Sequence, residues 1–146
     1  MADLSPVEQI RAAAAWLRAQ DQQLPGGRWD LHEDLILTGI TSRSVVLTDA
    51  ADRDGMDALV LSGEWTGEEL ATIRLLTVLR GALDPFGEVL GQIADGMDDY
   101  GAYERYAGTG LTGPDRQRVV ADENGRVRHD WTAALAVART ILGTTR

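Results

Sequence analysis

Cysteine is absent from the 146 residues. Its absence excludes disulfides, thiolate nucleophiles and cysteine-based zinc sites together. It also fits a reducing cytosol. Lysine is absent too, and all fourteen basic residues are arginines. No apolar run approaches the ~20 residues that span a bilayer. The opening Met1-Ala2-Asp3-Leu4-Ser5-Pro6 is acidic and runs into an amphipathic pattern, unlike a secretory leader. The reading is therefore a cytoplasmic protein with no membrane partner.

What is present is ordinary for a folded chain: 44% hydrophobic and 25% charged residues. The length suits one domain over residues 1–146. Arginine without lysine, together with the wealth of Ala, Gly and Asp, points to a high-GC genome, such as that of an actinobacterium or one of its phages. The formal charge is −9 and is unevenly spread. Residues 1–100 hold 18 acids against 7 arginines, whereas residues 101–146 hold 5 against 7. A nucleic-acid binder needs a basic face to displace counterions. Most of this chain would repel a phosphate backbone, so direct binding to DNA or RNA is not expected.

Ser5-Pro6-Val7-Glu8 is a capping box with proline at the first helical position. Val7, Ile10, Ala14 and Leu17 then recur at helical spacing, with Arg11 and Arg18 turned to solvent. Pro25-Gly26-Gly27 ends that helix. Short β-branched runs follow at 28–31, 35–40, 44–48 and 58–62, with a turn at Thr41-Ser42-Arg43. They read as a three-stranded antiparallel meander whose first strand breaks near His32-Glu33-Asp34. A second capping box, Thr66-Gly67-Glu68-Glu69, opens a helix with Leu70, Ile73, Leu76, Leu79 and Leu83 on one face. Asp84-Pro85 starts the next helix, with Phe86, Val89, Leu90, Ile93 and Met97 apolar and Gly87, Gly91 and Gly96 permitting close packing. Asn124-Gly125, between 118–123 and 126–129, reads as a two-residue type I′ hairpin with both residues at positive φ. Asp130 or Thr132 caps a last helix that Gly143 ends.

The motifs that carry chemistry elsewhere fail their context tests. Gly108 to Gly113 fits G-x-G-x-x-G, but it follows a tyrosine-rich helix end and leads into a hairpin, so a loop is the plainer reading. The acidic run Asp49–Asp57 resembles a calcium loop until Gly55 is aligned with the turn glycine. Ala50 and Leu61 then fall where carboxylates belong. His32 and His129 have acidic neighbours in sequence, but adjacent strand residues point to opposite faces. Ser5, Ser42, Ser44 and Ser62 sit at a cap, in a turn or in strands, none at a nucleophile elbow. No catalytic, cofactor or metal site is assigned, and no cofactor is expected. Two clusters remain as candidate interaction residues. Tyr100, Tyr103 and Tyr106 recur every three residues, a drifting stripe if helical, and tyrosine is enriched at protein interfaces. Asp95, Asp98 and Asp99 form an acidic patch that could imitate phosphates toward a basic partner.

Residues 5–18 (Ser-Pro-Val-Glu-Gln-Ile-Arg-Ala-Ala-Ala-Ala-Trp-Leu-Arg) resemble the opening of small uncharacterised proteins of Streptomyces, related actinobacteria and their phages. Residues 134–143 resemble their usual ending. Leu83-Asp84-Pro85-Phe86-Gly87-Glu88-Val89-Leu90 with Ile93-Ala94-Asp95 is similar to their internal proline-initiated helix, with Asp84 in place of the histidine common there. The resemblance implies an accessory protein of mobile or conditionally needed genes, and no activity.

The sequence thus predicts one α+β domain of order α-β-β-β-α-α-β-β-α, antiparallel strands with helices packed on one side. Its predicted role is that of a non-enzymatic, phage- or mobile-element-associated accessory protein that binds another protein, with the acidic face as one docking surface. Two alternatives stand beside it: a small enzyme or ligand-binding domain whose site is assembled from scattered residues, and a structural subunit of a phage particle.

Overall fold

The computed structural model describes residues 4–24, 29–35, 41–47, 59–107 and 117–144. The class is α+β. Its elements are α1 (Pro6–Gln23), β1 (Trp29–Leu35), β2 (Thr41–Leu47), β3 (Leu59–Gly63), α2 (Gly67–Arg80), α3 (Leu83–Asp99), β4 (Tyr103–Ala107), β5 (Gln117–Ala121) and α4 (His129–Leu142). The chain forms two compact units, one of Met1–Arg18 with Phe86–Arg146 and the other of Ala19–Pro85.

In the first unit, α1 begins as its capping box dictates. The Ser5 N–H donates to Glu8 Oε2 at 2.7 Å and the Glu8 N–H donates to Ser5 Oγ at 3.3 Å. Val7, Ile10, Ala13, Ala14 and Leu17 are buried on one stripe. The buried face of α3 is Gly87, Leu90, Ala94 and Met97; Leu90 and Met97 were expected there, whereas Phe86 and Val89, expected on the same face, are exposed. Small residues decide this. A Cβ on Gly87 would lie 3.2 Å from the Ala14 carbonyl oxygen, so α1 and α3 approach closely at this point. Bulky Phe86 and Val89 could not occupy that line.

The glycines of α3 therefore differ in kind. Gly87→Ala is expected to cost about 1–3 kcal/mol, because the obstructing atom is backbone and cannot swing away. A Cβ at Gly96 would meet nothing within 4 Å. Gly96→Ala is expected to gain about 0.5–1 kcal/mol from helix propensity alone. Chemical denaturation of the two variants checks both signs.

α3 ends sharply where a fading helix was expected. The Gly101 N–H donates to Asp98 O at 3.2 Å and the Ala102 N–H to Met97 O at 2.9 Å, with Gly101 at φ 59. That is a Schellman closure, which needs a left-handed residue and favours glycine there. The chain then enters β4 at Tyr103, so the tyrosine stripe is not helical. β4 pairs antiparallel with β5, from Tyr103↔Ala121 to Ala107↔Gln117. The expected strand at 126–129 shrinks to a single bridge, Ala121↔Val127, before α4 begins at His129.

The Asn124-Gly125 turn is also not type I′. Gly125 has φ 76, but no non-glycine described residue has positive φ, so Asn124 does not. The Gly125 N–H donates to Asp122 O at 2.8 Å, closing a type I turn over Asp122–Gly125, and Asp122 N–H donates to Arg126 O at 3.0 Å. This is a three-residue loop with glycine in the left-handed position. The cause is Asp122, whose Oδ1 accepts from the Asn124 and Arg126 N–H groups at 2.9 and 3.0 Å. An aspartate that caps its own turn favours the right-handed conformation at the residues just after it. Neither Asp130 nor Thr132 caps α4; Arg128 is the cap residue, and the Thr132 hydroxyl donates to Arg128 O and accepts from Val120 N–H. Gly143 closes α4 as expected, its N–H reaching Arg139 O and Thr140 O.

In the second unit, β1, β2 and β3 form an antiparallel sheet in that order. β1 runs unbroken through residues 32–34, and β2 starts at Thr41, pairing Ser42 with Asp34 and Arg43 with Glu33. The expected turn at 41–43 is thus strand; strand pairing satisfies backbone groups whatever the side-chain polarity. Register slips between Val45 and Val46 opposite β3. The runs 49–57 and 108–113, read as loops, lie outside the described residues. Thr66 precedes α2 in extended conformation, but its side chain makes no capping bond, so the second capping box does not form. Buried Arg80 at the other end of α2 pairs with the Asp21 carboxylate, donates to Asp21 O at 3.3 Å, and lies 5.6 Å over the Trp29 ring.

Candidate functional site

The acidic patch sits on the last turns of α3. Asp95 and Asp98 are one helical turn apart, so both reach one guanidinium. Arg11 Nη2 lies 3.0 Å from each, and the two bonds, Asp95 first, raise the arginine above its usual value. One of the patch's three negative charges is thereby balanced within its own unit. Asp99 is exposed beside it. Three carboxylates with an internal arginine make a poor imitation of a phosphate row.

The tyrosines are exposed but do not share a surface stripe. Tyr100 leaves α3 and tilts against buried Trp131, with ring centroids 6.4 Å apart. Tyr103 and Tyr106 lie an odd number of residues apart on β4, hence on opposite faces. Tyr106 shares its face with Glu104, and its hydroxyl accepts from Arg118 Nε at 3.1 Å while the Arg118 guanidinium lies 5.4 Å from the ring centre. Arg105, on the Tyr103 face, donates to Gly125 O at 3.1 Å.

A cleft of about 500 Å³ lies along α4 and the β4–β5 pair, lined by Glu104, Arg118, Val120, Thr132, Leu135 and Arg139 among others. Its polar wall is an ion pair. Arg139 Nη1 and Nη2 each donate to Glu104 at 2.8 Å, and Nε donates to Gln9 at 2.9 Å. Glu104 accepts a full fork, and the Thr132 hydroxyl is used in both directions. Neither is offered as a base or a nucleophile, since each would need a partner poised for proton transfer. Among the described residues no histidine lines this cleft. His129 is exposed at the start of α4, and His32 lies in β1 opposite Ser44. Among the described residues no three His, Asp or Glu side chains are grouped to hold a metal. No described helix is long and apolar enough to cross a membrane.

At the foot of α4, Arg128 clamps Asp130 through two bonds of 3.2 and 2.9 Å and lies 4.4 Å over the Trp131 ring. The arginine holds the Asp130 carboxyl below its ordinary value. A carboxyl depressed in the fold contributes stability above its unfolded pKa and loses it as pH falls through the folded one. The clamp is therefore intact at neutral pH and fails below the ordinary carboxylate range. Carboxyl-detected NMR titration should place Asp130 below a free aspartate, and Arg128→Gln should move it back up. An unmoved titration would show that the clamp does not form in solution.

Sequence reasoning missed an exposed apolar surface. On α2, Leu75, Leu76, Val78 and Leu79 are 57%, 51%, 72% and 47% exposed, while Leu70 and Arg80 alone are buried. The signal was available. Leu70, Ala71, Ile73, Leu75, Leu76, Val78 and Leu79 surround the helix instead of forming one face. A helix apolar all round has more greasy surface than one packing partner covers.

Comparison with family models, with curated proteins and with solved structures finds no match to this chain.

Proposed function

We propose that the chain is a non-enzymatic accessory protein of a phage or mobile element and that it acts by binding another protein. Four exposed aliphatic residues within five positions of α2, Leu75, Leu76, Val78 and Leu79, carry this reading. Contiguous exposed apolar surface on a folded protein marks an interaction site, because water contact with it is unfavourable until a partner covers it. The two chain ends, similar to those of actinobacterial and phage accessory proteins, support the biological setting. On this reading the chain works as one α+β domain, and α2 is its docking element. The acidic patch of Asp95, Asp98 and Asp99, with Tyr100, Tyr103 and Tyr106, is secondary: it steers a basic partner and sets salt dependence.

A photo-crosslinking residue placed at Val78 is the test. In an actinobacterial extract it is expected to capture a discrete protein that the same probe at exposed Gln92 on α3 does not. Equal labelling from the two positions would remove α2 as the docking element.

A further inference from the structure

We propose that Asn124 is a site of spontaneous deamidation whose rate is set by opening of the Asp122 turn. The two components of this reaction are adjacent in the chain. The Gly125 backbone nitrogen, deprotonated, attacks Asn124 Cγ. The new N–Cγ bond forms as the Cγ–NH2 bond breaks, and the amide leaves as ammonia with the proton that Gly125 gave up. The resulting cyclic imide then takes up water across either of its carbonyl carbons and opens to aspartate or isoaspartate. The net change is asparagine plus water to aspartate plus ammonia. No oxidant, metal or enzyme enters. Glycine after asparagine leaves the attacking nitrogen unhindered, and Asn124 is exposed, so water reaches the imide.

The fold opposes the first step in several ways. The Gly125 N–H is committed to Asp122 O at 2.8 Å, so the proton that must leave is held in a hydrogen bond. Every other backbone N–H from Asp122 to Arg126 is also bonded: Asp122 to Arg126 O, Glu123 to Tyr100 O at 2.9 Å, and Asn124 and Arg126 to Asp122 Oδ1. The turn cannot shift one residue toward the attack geometry without breaking several of these together. The buried Asp122 carboxylate, finally, sits against the turn's backbone amides and disfavours a negative nitrogen beside it. Arg105, donating to Gly125 O at 3.1 Å, fixes the following peptide plane. The site is therefore closed in the native turn and reacts from the opened one. Its product adds a carboxylate next to Asp122 and Glu123, and isoaspartate also lengthens the loop by one backbone carbon, so modification disfavours reclosure.

The experiment compares three samples at mildly alkaline pH by peptide mapping and mass spectrometry. They are the full-length protein, the same protein in urea below its unfolding transition, and a synthetic peptide of residues 120–128. The peptide is expected to convert at Asn124. The folded protein should convert about tenfold more slowly or slower still, in proportion to how rarely the turn opens. Sub-denaturing urea should accelerate the folded protein, in step with hydrogen exchange at the Gly125 amide. Asp122→Ala should bring the folded rate close to that of the peptide. Equal rates in protein and peptide, no conversion in the peptide, or a folded rate indifferent to urea would each overturn the proposal. The urea series keeps the test decisive if Asp122→Ala does not fold.

Discussion

Trp131→Ala is expected to destabilise the first unit by about 3–5 kcal/mol, the largest single-residue effect on its core. Trp131 is 3% exposed in the first turn of α4. Its ring has Arg128 over one side at 4.4 Å and Tyr100 at 6.4 Å. Truncation removes the transfer free energy of the largest side chain and leaves a cavity that relaxation of the surroundings fills only in part. Arg128 is held by Asp130, and Tyr100 O accepts from the Glu123 N–H. Trp131→Phe should cost markedly less, because it keeps most of the apolar volume. Urea titration followed by far-UV circular dichroism measures both. A loss under about 1 kcal/mol for the alanine variant would mean that the ring is not part of a packed core.

Arg139→Ala is expected to cost about 2–3 kcal/mol, less than a fully buried pair because some solvent reaches it. The side chains of Arg139 and Glu104 are 21% and 20% exposed, and their two bonds of 2.8 Å form a fork. With Gln9 on Nε, one guanidinium ties α1, β4 and α4 together. Most of the cost lies in the carboxylate left behind, which is largely desolvated and has lost its charged partner. Glu104→Leu with Arg139→Met tests that origin. The double variant should recover most of the lost stability, because apolar replacements of similar volume leave no orphaned charge. A double variant as unstable as the sum of the singles would instead show that the two side chains are not coupled, and that the cost of Arg139→Ala did not come from a stranded carboxylate.

Local signals were legible in the sequence, and partner choice between distant segments was not. The Ser5–Glu8 capping box and the Gly143 closure need only a few consecutive residues, and both form. The hairpin loop at Asp122–Gly125 was placed correctly, yet its turn type and strand pairing were not. β5 forms its ladder with β4, across residues 108–116, and keeps only a single bridge to 126–129, and nothing in the residues around Asn124 encodes a partner that far upstream. The tyrosine spacing misled for a related reason. Three residues apart suits a helix surface, but Gly101 in the left-handed region ends α3 before Tyr103, and the same spacing on a strand alternates faces. A glycine two residues after Asp99 was the available cue. For α3, the expected apolar face was chosen by size, whereas part of the observed face follows from smallness, because the close approach to Ala14 of α1 rewards Gly87. The acidic patch was visible as composition, but its neutralisation by Arg11 depends on α1 and α3 lying side by side.

Partner affinity of the α2 variant Leu75→Glu with Val78→Glu, read beside its melting temperature, tests the docking reading most directly. Both residues are exposed, so the melting temperature is expected to stay within a few degrees of the wild type, while affinity for the protein captured at Val78 falls at least about tenfold through buried charge in the interface. Neutralising Asp95, Asp98 and Asp99 together should change that affinity less and flatten its salt dependence. Undiminished affinity in the α2 variant, with its fold intact, would contradict the account.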